Sequence, residues 1–215
     1  MIQSTATEAL TRAEQKLKTR CKLLEATIDI IASEGVAGVT FARVSGNAGV
    51  SRGLCSFHFE NKEHLMLETL RMLYAKTDLA WRSALTEPDT APEQRLTSMI
   101  KVLLSPPIAD PKALTVLVAY WGLTPHREHY LKFFTEGDLA YEESIEGVMR
   151  ELADGQEMIH GMSLRAVAVM LTSMIDGIYV QYLIAPGRLS CQEGVQGCLT
   201  FLATFFPQFF SIIDQ

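Results

Sequence analysis

The chain lacks most signatures of catalysis. It has no HExxH, no phosphate-binding GxxxxGK[ST] and no GxGxxG. Its five histidines, His58, His64, His126, His129 and His160, are scattered. His126 and His129 lie three apart beside Glu128, which a solvated helix start explains better than a metal pair. The four cysteines, Cys21, Cys55, Cys191 and Cys198, show neither CxxC nor any metal-type spacing. No metal, no cofactor and no enzymatic activity are therefore expected, and reduced thiols fit a cytoplasmic protein. No repeat, low-complexity tract or strand pattern of any length is present, which leaves an all-α protein. The opening MIQSTATEALTRAEQ has no apolar signal core, so no secretion is expected. The longest apolar run, 166–185, has bilayer length but holds Asp176, which costs about 2.5–3.5 kcal/mol at a membrane centre. It reads as a buried helix in a soluble protein, with no membrane partner.

Positive charge is scarce too, but unevenly. The net charge is −6, with 19 Lys and Arg against 25 Asp and Glu. Residues 1–60 hold seven Lys or Arg against six Asp or Glu, so the excess acid lies in the remainder. Lys16, Lys18, Arg20 and Lys22 crowd one stretch, and Arg43 and Arg52 flank a turn. A solvated helix start explains such a run blandly; phosphate neutralisation explains it functionally.

What is present is helical periodicity. The spacings predict a loose arm over 1–13 and a first helix over 14–34, closed by Gly35 as a left-handed cap. Two short helices follow, then a fourth over 62–85 and a fifth over 92–104. The sixth, 111–123, carries Leu114, Leu117, Val118 and Trp121. The seventh, 126–153, follows Pro125. The eighth runs from after Ser163 to Pro186 and reads as buried nearly all round. The ninth spans 190–206, with Cys191, Val195, Cys198, Leu202 and Phe205 at seam spacing.

The stretch 39–62 organises the rest. Thr40 and Ser51 are placed to cap two short helices, and Gly49 sits at the turn between them. Val44, Ala48, Val50, Leu54 and Phe59 can close a small core beneath the pair. That leaves Arg52, Gly53, Ser56, Phe57 and His58 to face a DNA major groove.

In gapless order, Leu23-Leu24-Glu25-Ala26, Gly35, Thr40, Val44, Ala48-Gly49-Val50-Ser51, Gly53, Phe57-His58-Phe59, Lys62-Glu63 and Leu65 resemble the N-terminal signature of TetR-family transcriptional regulators. Ser56 stands where that family usually has a Tyr that touches the DNA backbone, and Ser45 replaces a usual Ala. The resemblance implies a nine-helix fold, with a helix-turn-helix head in 1–61 and a ligand-binding and dimerisation body in 62–215. It also implies a double-stranded DNA operator, a homodimer through the eighth and ninth helices, and repression relieved by a small-molecule effector. The expected DNA-binding residues are Lys22, Thr40, Arg43, Ser51, Arg52, Gly53, Ser56, Phe57, His58 and Lys62.

Leu117-Val118-Ala119-Tyr120-Trp121 and Met174-Ile175-Asp176-Gly177-Ile178-Tyr179 resemble segments of the BetI-type, choline-responsive branch. Choline or a related quaternary ammonium compound is the effector this implies. Aromatic faces and a carboxylate hold such an ion. Tyr120, Trp121, Phe134, Tyr141, Asp176 and Tyr179 are the expected ligand residues, although aromatic stripes at helical spacing usually form core. Asp176 either binds a cation or anchors a neighbouring helix or the dimer partner. An aromatic or lipophilic effector stays open, as does a helical binding protein with no DNA role.

Overall fold

The structure is a computed structural model, and it describes residues 11–123 and 128–210. The expected N-terminal arm lies mostly outside these residues, and Pro125 and His126 lie outside them entirely. The elements are α1 (Arg12–Glu34), a 3-10 turn (Val36–Gly38), α2 (Phe41–Asn47), α3 (Arg52–His58) and α4 (Lys62–Leu85). Then come α5 (Pro92–Leu103), α6 (Pro111–Leu123), α7 (Glu128–Leu152), α8 (Leu164–Ile184) and α9 (Cys191–Phe205). A hairpin of two short strands, β1 (Met158–Ile159) and β2 (Met162–Ser163), joins α7 to α8, contrary to the expectation of no strand. His160 and Gly161 at its tip both have positive φ, so the turn rather than strand periodicity forms it.

The chain forms two compact units, one ending at Met72 and one starting at Leu73, so α4 contributes to both. In the first unit, the head, α1 starts two residues earlier than expected. Thr11 and Glu14 make a reciprocal capping box: the Thr11 N–H donates to Glu14 Oε2 at 2.7 Å, and the Glu14 N–H to Thr11 Oγ1 at 3.3 Å. Gly35 ends the helix with φ 72° but ψ 178°, not the expected left-handed helical cap. Essentially only glycine enters that region. Leu23, Leu24, Ile30 and Ile31 of α1 pack with Val39, Val44, Phe59 and Leu65 as buried core. Thr27 is buried too, and its hydroxyl donates to the Leu23 carbonyl at 2.8 Å, so no polar group is orphaned there.

Leu54 does not join this core: it is 41% exposed, and Cys55 is buried in its place. Cys55 and Phe59 are four apart and share one helix face, whereas Leu54 points about a quarter-turn away. The apolar character of Leu54 concealed that phase.

The body's core is built on α8, whose widest pairing is with α7 and which also packs on α6 and α9. Ser163 caps α8, accepting from the Ala166 N–H at 3.2 Å. Leu164, Val167, Ala168 and Leu171 are wholly buried. α9 approaches α8 closely at Gly194: a Cβ there would lie 2.7 Å from the Tyr182 hydroxyl oxygen, so a larger residue would have to displace the end of that ring. On α6, Val116 and Tyr120 are buried as well as Leu114, while Leu117, Val118 and Trp121 are half-buried; Leu114, Leu117 and Trp121 of the expected stripe pack on the body core, and α6 buries a second side as well.

α8 is long and apolar enough to cross a membrane by length and composition, but within this chain it is a packed helix with 39% of its most apolar window buried. The expected burial nearly all round is not observed in the single chain. Met170 is 47% exposed and Ile184 69%, because no neighbouring helix covers that side.

Candidate functional site

Two surfaces carry the residues singled out by the sequence. The first is the outer face of α3. Ser51 accepts from the Leu54 N–H at 3.4 Å, and Thr40 from the Arg43 N–H at 3.3 Å, so both hydroxyls are helix caps. Gly49, at φ 64°, reverses the chain between α2 and α3. With Cys55 turned inward, Arg52, Gly53, Ser56 and Phe57 are exposed and His58 is half-buried. Phe57 is 67% exposed, an unusual position for so large a ring, and the Lys16 ammonium of α1 sits 5.3 Å from its centroid. Burial, then the charges of Lys16 and Arg20, hold the His58 imidazole below its ordinary pKa, so it is neutral at pH 7.

The basic residues divide into engaged and free. Arg43 pairs with Glu34. Lys62 donates to the Val36 carbonyl at 3.0 Å, fixing the 3-10 turn and leaving two of its three protons. Arg20 shares Glu68 with Arg71. Burial pushes the Glu68 carboxyl up, but its bonds and charge pairing with the two guanidinium groups more than reverse this and leave it below its usual value. Arg52 and Lys22 are exposed with no ion-pair partner among the described residues. Arg52 also rims a shallow depression with Thr40, Asn61 and Lys62.

The second surface is a cavity of about 280 Å³ inside the body. Trp121, Tyr141, Asp176 and Tyr179 line it, as the sequence led one to expect. Tyr120 does not. It is wholly buried one position from Trp121 on α6, and its ring meets Tyr130 at 5.5 Å. Phe134 does not line the cavity either; it packs behind the wall against Tyr74, ring centroids 5.4 Å apart. Sequence reasoning missed Tyr74, Asp78 and Trp81, which put the face of α4 into the cavity. Their spacing of four and three was visible, but nothing in it said which side of α4 faces a void.

The cavity is acidic. Asp138 and Glu142 of α7 and Asp176 of α8 line it with no hydrogen bond or ion pair among the described residues. Asp78 also lines it, but its carboxylate is held by Arg82 at 2.8 Å. Among the described residues no Lys, Arg or His lies on the wall. Burial, then Asp138 and Glu142, push the Asp176 carboxyl up to about 7. Burial, then Glu142, raise Asp138 to about 6. Asp138 and Asp176 both keep accessible area in the single chain, so the raised values belong to carboxylates that line a partly open cavity and crowd one another, not to fully buried acids. Tyr74 and Tyr141 are pushed above the ordinary phenol value, first by burial, so both stay protonated. Tyr179 donates its hydroxyl proton to the Leu103 carbonyl at 2.9 Å, which fixes α8 against the end of α5.

This arrangement suits a small cation. A unit charge about 4 Å from a carboxylate gains about 4 kcal/mol at an effective dielectric near 20, against about 0.5–2 kcal/mol per aromatic face. Charge decides the class of ligand and the rings refine it. Among the described residues no cluster of His, Cys, Asp and Glu is arranged to hold a metal ion.

Two family models match the chain. Residues 23–69 match the bacterial regulatory proteins of the tetR family, and residues 92–207 match the C-terminal domain of BetI-type transcriptional repressors. The transcriptional regulator BetI of Pectobacterium atrosepticum is 24% identical over 179 residues, covering 82% of this chain and 88% of that protein. A transcriptional regulator from Pseudomonas aeruginosa PAO1 superposes with a TM-score of 0.78 at 23% identity, covering 94% of this chain and 95% of that one. A regulator from Saccharomonospora viridis, solved in complex with choline, superposes with a TM-score of 0.71 at 20% identity, covering 86% and 96%. At such identities the structural likeness establishes the fold.

Proposed function

We propose that this chain, which belongs to the TetR family of transcriptional regulators and carries a BetI-type C-terminal domain, is a cytoplasmic homodimeric repressor released from its operator by a small organic cation. It is a regulator and not an enzyme. The single observation that carries the effector class is the acidic, aromatic-walled cavity with no basic residue on its wall among the described residues. Choline or a related quaternary ammonium compound is compatible with it, and the choline complex of the Saccharomonospora viridis protein supports the same class. A neutral lipophile gains no charge pairing from Asp138, Glu142 and Asp176, which disfavours that alternative.

In this reading α3 enters the major groove, with Arg52, Ser56, Phe57 and His58 toward base edges and Lys22 toward phosphate. Homodimerisation is supported by the uncovered side of α8, where exposed Met170, Gly177 and Ile184 recur every seven residues. A second copy covers that stripe and supplies the second recognition helix that a two-half-site operator requires. Effector and DNA are linked: each favours a different state of the dimer, and the cation displaces DNA only by its differential affinity for the two.

The test is fluorescence anisotropy of labelled DNA from upstream of the chain's own gene, with choline titrated into the complex. Saturable release supports both roles. Tight binding indifferent to choline retains the regulator and removes this effector.

A further inference from the structure

We infer that the cavity is built for a polyvalent cation, a linear diamine or oligoamine, in preference to a cation with one charge. This rests on the reading of the cavity as a cationic effector site.

The argument is a count of charges. Three carboxylates, Asp138, Glu142 and Asp176, face one void without a counter-cation among the described residues, and the fourth, Asp78, is already neutralised by Arg82. A monovalent ion pairs with one of the three and leaves the other two repelling each other across the partly open wall, whereas a second positive charge relieves that repulsion. Position matters as well as number. Asp138 and Glu142 are one helical turn apart on α7, where Cβ atoms stand roughly 5–6 Å apart, a separation that the ammonium ends of a short diamine can match. Asp176 faces the same void from a different helix and feels both α7 carboxylates, so the wall offers acids from two sides.

Tyr141 adds an observation independent of charge. It lines the cavity, and its buried hydroxyl oxygen has no hydrogen-bond partner. A primary ammonium carries N–H groups that this oxygen and the carboxylates can accept, whereas a quaternary ammonium carries none.

The empty site meets its own repulsion with protons. Every titratable group on the wall among the described residues is an acid or a phenol: Tyr74 and Asp78 from α4, Asp138, Tyr141 and Glu142 from α7, Asp176 and Tyr179 from α8. The α5 and α6 contributions are uncharged. The raised values of Asp138 and Asp176 mean that both are part-protonated near neutrality, and an entering dication releases those protons to the buffer.

The experiment is titration calorimetry of the full chain at pH 7.5 with choline, putrescine and spermidine as probes. The expected result is one-to-one binding of an amine at least tenfold tighter than choline. Asp138→Asn and Asp176→Asn each lower the amine affinity at least tenfold and narrow its advantage over choline. Glu87→Gln, a surface acid after α4, changes nothing. Glu142→Gln replaces either variant if one does not fold. Choline bound as tightly as both amines overturns the inference and leaves the cationic-effector reading standing. Amine binding unchanged in the cavity variants is surface binding and also overturns it. If none of the three probes binds, both readings fall together.

Discussion

On α3 the outward residues lie within one seven-residue helix, Arg52–His58, and they are turned outward by a single inward pair, Cys55 and Phe59. The cavity of the body takes its wall from α4, α5, α6, α7 and α8, and no two of its three unpaired carboxylates are sequence neighbours. The first surface presents free cations to open solvent; the second gathers acids around a partly open cavity. One suits a long polyanion whose charges are screened by salt, the other a small cation held within a concave wall and screened less. Substitutions at the two places should therefore differ in size and in salt sensitivity.

The largest effect should come from the cavity. Asp176→Asn removes a desolvated charge and should weaken binding of an organic cation by about 2–4 kcal/mol at pH 8, while leaving a neutral ligand's affinity nearly unchanged. Calorimetry on the folded variant measures this. Equal losses for charged and neutral ligands would show that Asp176 acts by anchoring helices, which would undo the contrast between the two surfaces.

Arg52→Ala should come next. Loss of a bidentate contact to a base costs about 1–3 kcal/mol against the correct operator, with little change on non-specific DNA. Effector binding should be unaffected. Anisotropy with specific and scrambled duplexes separates the two. Lys22→Ala should instead weaken both duplexes alike and flatten the slope of log affinity against log salt by about 0.9. Lys62→Ala is a poorer probe of phosphate contact, because its bond to the Val36 carbonyl ties that residue to the head's own structure as well.

A third kind of substitution touches shape rather than charge. Ser51→Ala deprives the Leu54 N–H of its cap and should cost about 0.5–2 kcal/mol of head stability. Denaturant melting followed by far-UV circular dichroism reads the loss, which should exceed that of Ser56→Ala, whose side chain caps nothing.

The same contrast explains what the sequence disclosed. The helices of the head were legible because their caps are local: Thr40, Gly49 and Ser51 each act within four residues. The boundaries of α4 and α6 were legible for the same reason, with Pro88 and Pro111 as punctuation. Legibility failed where the answer depends on what another helix does. Leu54 looks like core until the phase of α3 is set by Phe59. Tyr120 and Trp121 are adjacent and both aromatic, yet the packing of α6 sends one into the core beside Tyr130 and the other to the cavity. Tyr74, Asp78 and Trp81 read as an ordinary helix face because a void is made by the helices around it. Asp176 was the exception, since a carboxylate in an apolar run is anomalous from sequence alone.

The smallest effect should be the response of the empty body to pH, and its sign follows from the direction of the shifts. Asp176 stands at about 7 and Asp138 at about 6 when folded, both above the ordinary value of 3.8. The folded state therefore binds more protons than the unfolded chain between pH 4 and pH 7. Stability from these two groups is complete below pH 4 and is lost as pH rises through 6 and 7. Other carboxylates act in the opposite sense: Glu68, paired with two arginines, loses its stabilising charge as pH falls through its lowered value. The two trends overlap little above pH 5, so the melting temperature should fall by a few degrees between pH 5.5 and pH 8. A saturating cation should cancel that fall by fixing both cavity acids in their charged form. Asp138→Asn with Asp176→Asn should abolish it without any ligand. A melting temperature that rises over this interval in the parent chain would mean that the cavity acids are not desolvated, and the second surface would then be an ordinary acidic one.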